Sequence, residues 1–459
     1  MKKTFLKLSV LTIAVGFSLA TSASEFDHYL DWQNKPVTVQ TPQADTEVRH
    51  QMDFTVPIHG PWLLNPSYTT MSVNWITRVP CGAAIEYRVK GTEEWTRIWD
   101  VICGQINLSK DIHTFHLKNL KPATEYEYRL LSAQNSYFSP YHEVHIGREI
   151  RTFKTLDPKR DNYKVFITSD FHGGSRLILD PMIDRSKAID SDMFFFLGDN
   201  VEDSMQNARF YVTFGFLDDV VRRWGSSKPT VFVRGNHDSW GLESYRYHDY
   251  FAQPDGKTYG YVLQGPVLFV YFDYFEGINP RTLIGQQIVE YLKEQTAWYR
   301  ELKKTDVWKK AKFRIAMAHV GTHACEGSRN PQEAVVDWAR EINDPTPDGK
   351  IHIFLCGHEH KYRRIDAYGK ETKVSTAQTR YIRPFKSEYN YSLVVCNLAE
   401  TMTLEVTPEK LTFKSHEWRD DSGKLHDAFE IYPDGKTKDL IDVKKFPIQP
   451  FSEPPKKKK

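Results

Sequence analysis

The chain has 459 residues, 40% of them hydrophobic and 26% charged, the composition of a folded globular protein with room for two or three domains. A formal net charge of +2 gives no electrostatic case for nucleic acid or a membrane surface as the main partner. Aromatic residues reach 14%, and their alternating placement in the first third argues for β-structure there.

The first element in chain order is MKKTFLKLSVLTIAVGFSLATSAS. Lys2, Lys3 and Lys7 precede an apolar stretch from Leu8 to Leu19 and small residues at Ala20 and Ala23, the arrangement of a secretory signal over residues 1–23. The stretch is too short for a comfortable membrane span, and nothing later reaches about 18 apolar residues, so no transmembrane segment is expected after signal cleavage. No cysteine follows the stretch to carry a lipid. The expectation is a secreted or periplasmic protein with a bacterial signal peptide.

Residues 24–55 are polar and poorly periodic, and read as an extension or linker. Residues 56–157 then carry short alternating runs: MSVNWIT, AAIEYRV, TRIWDV, HTFHL and EYEYRLL, punctuated by Pro80, Lys90-Gly91 and Lys121-Pro122. This is the spacing of an all-β sandwich. The stretch LKNLKPATEYEYRLLSA resembles the Leu-x-Pro-x-Thr-x-Tyr-x-Tyr signature of fibronectin type III domains. With SVNWIT, it is also similar to the N-terminal domain of purple acid phosphatases. Cys81 and Cys103 lie in this region, and an oxidising compartment permits a disulfide between them. Cys325, Cys356 and Cys396 read as buried or free thiols, and no CxxC pair suggests a zinc knuckle or thioredoxin-like site.

After Asp157-Pro158 the character becomes α/β, through residue 432. Residues 283–304 and 333–342 have the period of amphipathic helices, and YGYVLQ and VLFVYFDYF read as strands. Alternation returns in SLVVCNL, TMTLEVT and KLTFKSHEW, which are expected to complete a second sheet. Residues 433–459, ending in four lysines, read as a solvated tail.

Five apolar runs in this region share an ending. VFITSD ends at Asp170, MFFFLGD at Asp199, TVFVRGN at Asn236, FRIAMAH at His319 and IHIFLCGH at His358. Each run thus delivers a metal-binding type of side chain to its carboxyl end, the edge at which open α/β sheets build their sites. Carboxylates and imidazoles are costly to bury unpaired, and a strand end fixes them while leaving one side open to a cation. If the backbone stays extended, Asp170 with His172, and His358 with His360, face the same way and form two-ligand clamps. Taken singly, Gly-Asp-Asn is more often a turn and Asn-His-Asp a helix cap. Five strand ends in agreement are not explained that way.

The ordered motifs Asp170-Phe171-His172, Gly198-Asp199-Asn200, Gly235-Asn236-His237-Asp238, Ala318-His319 and Gly357-His358-Glu359-His360 resemble those of calcineurin-like metallophosphoesterases over residues 163 to about 400. The resemblance implies a β-sandwich core flanked by helices. It implies that Asp170, His172, Asp199 and His360 hold one metal, and that Asp199 bridges to a second completed by Asn236, His319 and His358. It makes His237 a proton donor to the leaving oxygen, with Asp238 as its orienter. Mixed oxygen and nitrogen ligands suit two ions of Fe, Mn or Zn, roughly 3.5–4 Å apart, that activate a bound hydroxide for in-line attack on phosphorus. No Gly-x-Ser-x-Gly elbow offers another nucleophile.

Two departures limit the transfer. Glu202 stands where purple acid phosphatases have a tyrosine three residues after the bridging aspartate, so a coloured ferric–tyrosinate is not expected. His319 begins His-Val-Gly-Thr-His rather than the usual His-x-Pro, which leaves His323 as a substrate contact or a replacement for His319. Asn236 and His237 are the other candidate substrate contacts, and Arg176 and Arg234 are weaker ones. The expected partner is a small phosphate ester. The alternative is a non-catalytic surface protein that uses the β-domain to recognise a partner, and the complete ligand set with His237 counts against it.

Overall fold

The computed structural model describes residues 37–39, 57–135, 142–147, 149–173, 175–201, 205, 207–251, 253–274, 283–322, 333–369, 371–373, 389–398, 400–416 and 424–447. The signal segment 1–23, most of the 24–55 extension, Glu202, His323, Cys325 and the lysine tail lie outside the described residues.

The N-terminal part consists of two antiparallel sheets. One pairs Pro57–Leu64, Met71–Thr77 and Ile112–Leu117. The other runs in the order Val37–Val39, Trp95–Trp99, Gly82–Val89, Glu125–Asn135 and His142–Ile146, with Arg151–Lys154 also paired to Glu125–Asn135. Their facing side chains, Val73 and Trp75 against Ile85, Ile98 and Tyr128, share one buried cluster. The opposite face of the small sheet is partly covered by the second part of the chain, while Thr114 on it stays exposed. Trp62, Leu64 and Ile76 belong to the next domain's core, and Trp62 Nε1 donates to the Tyr250 carbonyl at 3.1 Å. Cys81 is buried against Thr77 and His113, whereas Cys103 is exposed in the turn between Val101–Ile102 and Gln105–Ile106. Both are free thiols, so the permitted disulfide does not form.

The second part stacks two mixed sheets. The first has the order Thr230–Val233, Met193–Leu197, Tyr163–Thr168, Thr401–Val406, Leu411–His416, Leu425–Ile431, Thr437–Asp439, and its first three strands are parallel. The second has the order Gly260–Gln264, Val267–Tyr271, Phe313–Met317, Ile353–Cys356, Ser392–Val395, Arg363–Ile365, Glu371–Lys373, Lys445–Pro447. Four of its strands, from Val267–Tyr271 to Ser392–Val395, are parallel.

These parallel strands are buried on both faces, which is why they read as continuous apolar runs. In Met193–Leu197, Phe195 and Leu197 point into the layer between the sheets, while Phe194 and Phe196 point out to the helix Ser175–Arg185. On the far side, Leu283–Lys304 and Glu333–Ile342 cover the second sheet through Tyr299, Leu302 and Trp338. A fully buried side chain of this size stabilises the fold by about 1.5–3 kcal/mol, so the layers hold the strand ends firmly.

Two expectations change. Only Ser392–Val395 joins the second sheet; Thr401–Val406 pairs antiparallel with Tyr163–Thr168 and begins a meander that widens the first. The segment read as a tail contributes Thr437–Asp439 and Lys445–Pro447, one strand to each sheet. The reason is an ion-pair network. The buried Arg364 guanidinium meets Asp427 at 3.0 Å and Asp439 at 2.6 Å, and Lys373 meets Asp439 at 2.7 Å.

Candidate metal centre

Because Tyr163–Thr168, Met193–Leu197 and Thr230–Val233 are parallel neighbours, Asp170, Asp199 and Asn236 leave the first sheet along one edge. His319 and His358 leave the second sheet in the same way. Backbone hydrogen bonds tie the turns together: Asp170 N to Gly198 O at 3.0 Å, His172 N to Asp199 O at 2.9 Å, and Gly357 N to His319 O at 2.8 Å. The two edges are joined where His358 N donates to the Asp170 carboxylate at 3.0 Å.

The side chains fall into two groups that share Asp199. Asp170, His172, Asp199 and His360 bring their donor atoms within 4.8 Å of one another, as do Asp199, His319 and His358. In the first group His360 Nε2 is 3.1 Å from Asp170 Oδ1 and 3.2 Å from His172 Nε2, and His172 Nε2 is 3.9 Å from Asp199 Oδ2. In the second, His319 Nε2 lies 3.2 Å from Asp199 Oδ2, and Asn236 Oδ1 stands 3.0 Å from His319 Nε2 and 2.9 Å from His358 Nδ1.

The backbone that achieves this is not extended. Asp170, His172, Asp199, His358 and His360 have φ of 53°, 51°, 50°, 72° and 52°. Turns of left-handed residues, each costing of order 1–3 kcal/mol and held by the surrounding layers, replace the extended backbone; Asp170 and His172 still share one donor group. One consequence is that His358 and His360 go to different groups. Phe171, between two such residues, turns into the core against Phe196 and Phe216. Two motif glycines are needed for approach rather than for flexibility. A Cβ at Gly235 would collide with the amide and carboxylate of Asp199, and one at Gly357 with the side chains of Ser169 and Asp170.

The electrostatics fit a cation. Burial raises the Asp199 carboxyl, but the His319 imidazole beside it holds it well below the usual carboxylate range. Burial lowers His319, yet the Asp199 charge lifts it to about 9. His172 is pushed down by burial, and His360 is raised by its hydrogen bond to Asp170. His319 Nδ1 donates to the Leu197 carbonyl at 2.9 Å, which leaves Nε2 as the nitrogen facing the group. Carboxylate, amide and imidazole donors without any thiolate are the set that Fe, Mn or Zn accepts.

The remaining candidates divide. His237 sits at the rim, its backbone N–H 2.8 Å from Asp199 Oδ1 and its Nε2 4.0 Å from Asp199 Oδ2. Asp238 does not bond to His237 Nδ1. The buried Asp238 carboxylate accepts from Gly235 N at 2.8 Å, Asn200 N at 3.0 Å, Val201 N at 3.1 Å and Asn200 Nδ2 at 3.0 Å. It brackets two ligand turns, while His237 Nδ1 is buried with no hydrogen-bond partner among the described residues. Burial and then the Asp199 charge push Asp238 up to about 7, against the pull of those N–H groups.

Arg234 pairs with Asp273, its Nη2 at 2.6 Å from the carboxylate. Arg176 is exposed on the first turn of Ser175–Arg185. His323 lies outside the described residues. Sequence reasoning gave Asn200 no role, yet its amide also donates to Val233 O at 2.9 Å. It gave none to Trp240 either, whose ring lies 4.8 Å from that of His237. A large aromatic three residues beyond a catalytic-type histidine was the available signal.

Comparisons with known proteins agree with this geometry. Residues 163–362 match the family model for calcineurin-like phosphoesterases, and that segment contains every residue of both donor groups. A purple acid phosphatase from yellow lupin (Lupinus luteus) seeds superposes with a TM-score of 0.54 at 17% identity, covering 82% of this chain and 75% of that one. PhoD superposes with a TM-score of 0.51 at 10% identity, covering 85% and 93%. At these identities the likeness shows the fold. No curated protein sequence matches the chain.

Proposed function

We propose that the protein is an exported hydrolase of phosphoric esters that works with two metal ions. The observation that carries this reading is the position of Asp199, which belongs to both donor groups. Asp170, His172, Asp199 and His360 would hold one ion, and Asp199, Asn236, His319 and His358 the other. Bound there, such a pair supplies Lewis acidity and an activated water for in-line displacement at phosphorus.

The chain's own residues supply the rest. Asn236 presents its amide oxygen to the second group, fixed between His319 and His358. His237 holds its Nε2 edge toward Asp199 and donates a proton to the leaving oxygen. Asp238 keeps the turns of Asn200 and Gly235 in register and so positions His237 through the backbone. Arg176, on an exposed helical turn beyond Gly173, meets the ester's remaining phosphate oxygens. With Glu202 where a tyrosine would ligate iron, the loaded protein lacks a ferric–tyrosinate absorption band. Export rests on the segment 1–23, and the metals are Fe, Mn or Zn.

The test is hydrolysis of an aryl phosphate by metal-loaded protein, with a matched diester beside it to rank the two ester classes. Asp199→Ala abolishes turnover. Full activity in that variant would overturn the proposed role of Asp199.

A further inference from the structure

Beyond the two donor groups, the rings continue outward in a line. His360 meets His172 with centroids 5.0 Å apart, His172 meets His237 edge-to-face at 4.6 Å, and His237 meets Trp240 at 4.8 Å and 41°. The line begins in the first donor group and ends on an indole that is 50% exposed. Phe210, Tyr245 and Tyr368 are as exposed as Trp240, so what marks this indole is its place at the end of the line from the donor groups.

The backbone on both sides of this indole is pinned. Trp240 N donates to His237 O at 3.3 Å, and Met205 N donates to Trp240 O at 2.9 Å. Ser239 Oγ, its neighbour in the chain, donates to Gly235 O at 2.7 Å. The same loop is pinned again where Glu243 N donates to Met205 O at 2.8 Å. The backbone carrying the ring is thus fastened both to the turn that presents Asn236 and to the segment beyond Asn200.

On the reading that His237 protonates the leaving oxygen, the group attached to that oxygen lies on the side of His237 away from the donor groups. The ring waiting there is Trp240. We propose that Trp240 is a specificity-determining residue, and that its indole stacks on an aromatic ring carried directly by the leaving oxygen, so that aryl phosphoric esters are the preferred substrate class. The closeness of the two rings sets the reach: an aromatic group several bonds from the oxygen passes beyond the indole. Stacking of this kind changes affinity on the order of tenfold.

The experiment uses the full metal-loaded chain and two readouts. The first is kcat/KM for phenyl phosphate relative to methyl phosphate, compared between the unaltered protein, Trp240→Ala and Trp240→Phe. Taking the ratio removes the intrinsic reactivity of each ester. The expected result is an aryl-to-methyl ratio about tenfold lower in Trp240→Ala and largely kept in Trp240→Phe, with the change in KM. The second is calorimetric binding of phenylphosphonate against methylphosphonate, which needs no turnover; the aryl preference is expected to fall by the same factor. Equal losses on both esters, with an altered pH profile, would make Trp240 a positioning residue for His237 and overturn the proposal. So would phosphonate affinities indifferent to the aryl group. If neither ester is hydrolysed, the hydrolase reading fails, and the phosphonate pair still decides what the indole binds.

Discussion

Metal binding at the second donor group must displace a proton, and the linkage is large enough to measure. His319 Nε2 lies 3.2 Å from Asp199 Oδ2. Burial lowers the imidazole, but the carboxylate lifts it from 6.5 to about 9, which corresponds to about 3 kcal/mol of tighter proton binding. Because the folded value lies above the unfolded one, this proton stabilises the metal-free fold fully below pH 6.5. The contribution is lost as pH rises through about 9. A cation needs the Nε2 lone pair, since Nδ1 is engaged with the Leu197 carbonyl. Near neutral pH, binding therefore releases roughly one proton from His319, and the apparent affinity of this group rises roughly tenfold per pH unit up to about 9. The assay is calorimetric titration of Zn or Mn into metal-free protein, in pairs of buffers with different ionisation enthalpies. His319→Asn removes that proton from the balance. A binding enthalpy independent of buffer, or an affinity flat from about pH 6 to pH 8, would refute a proton shared between Asp199 and His319.

Two further outcomes follow from the same geometry. His237→Ala lowers kcat by about 10²–10⁴-fold while metal content stays at the level of the unaltered protein, because His237 is outside both donor groups. The loss is smaller for a p-nitrophenyl ester, whose leaving oxygen needs less protonation; parallel steady-state rates and metal analysis check both points. Gly357→Ala drives a methyl group into Ser169 and Asp170, so it destabilises the fold by about 1–3 kcal/mol and weakens metal at the first group. Denaturant midpoints with and without metal measure this, and an unchanged midpoint would mean that the turn yields freely.

Much of the site is legible in the sequence because burial and chemistry coincide there. A parallel strand buried on both faces has nowhere to place polar residues except its end, so Asp170, Asp199, Asn236, His319 and His358 stand out against apolar runs. The helices Leu283–Lys304 and Glu333–Ile342 are legible for a related reason, since each has one face against a sheet. What escapes is set by backbone detail and long-range pairing. Left-handed φ at five of the donor positions cannot be inferred from Asp and His, which are enriched in that region yet occupy it in only a minority of cases. Asp238 reads as a partner for the adjacent His237, yet its four N–H donors come from Gly235, Asn200 and Val201. The strands Thr437–Asp439 and Lys445–Pro447 are too short and too polar to show periodicity. They are held by Arg364, Lys373 and pairing with distant strands.

If Asp199 joins two metal sites, the number of ions bound to the chain decides it. Metal-free protein titrated to saturation with Mn or Zn, then analysed for bound metal after removal of the excess, should hold about two equivalents per chain. Asp199→Ala should fall to one or fewer, since both donor groups lose a carboxylate. Saturation at a single equivalent in the unaltered protein, or two retained in Asp199→Ala, would contradict the account.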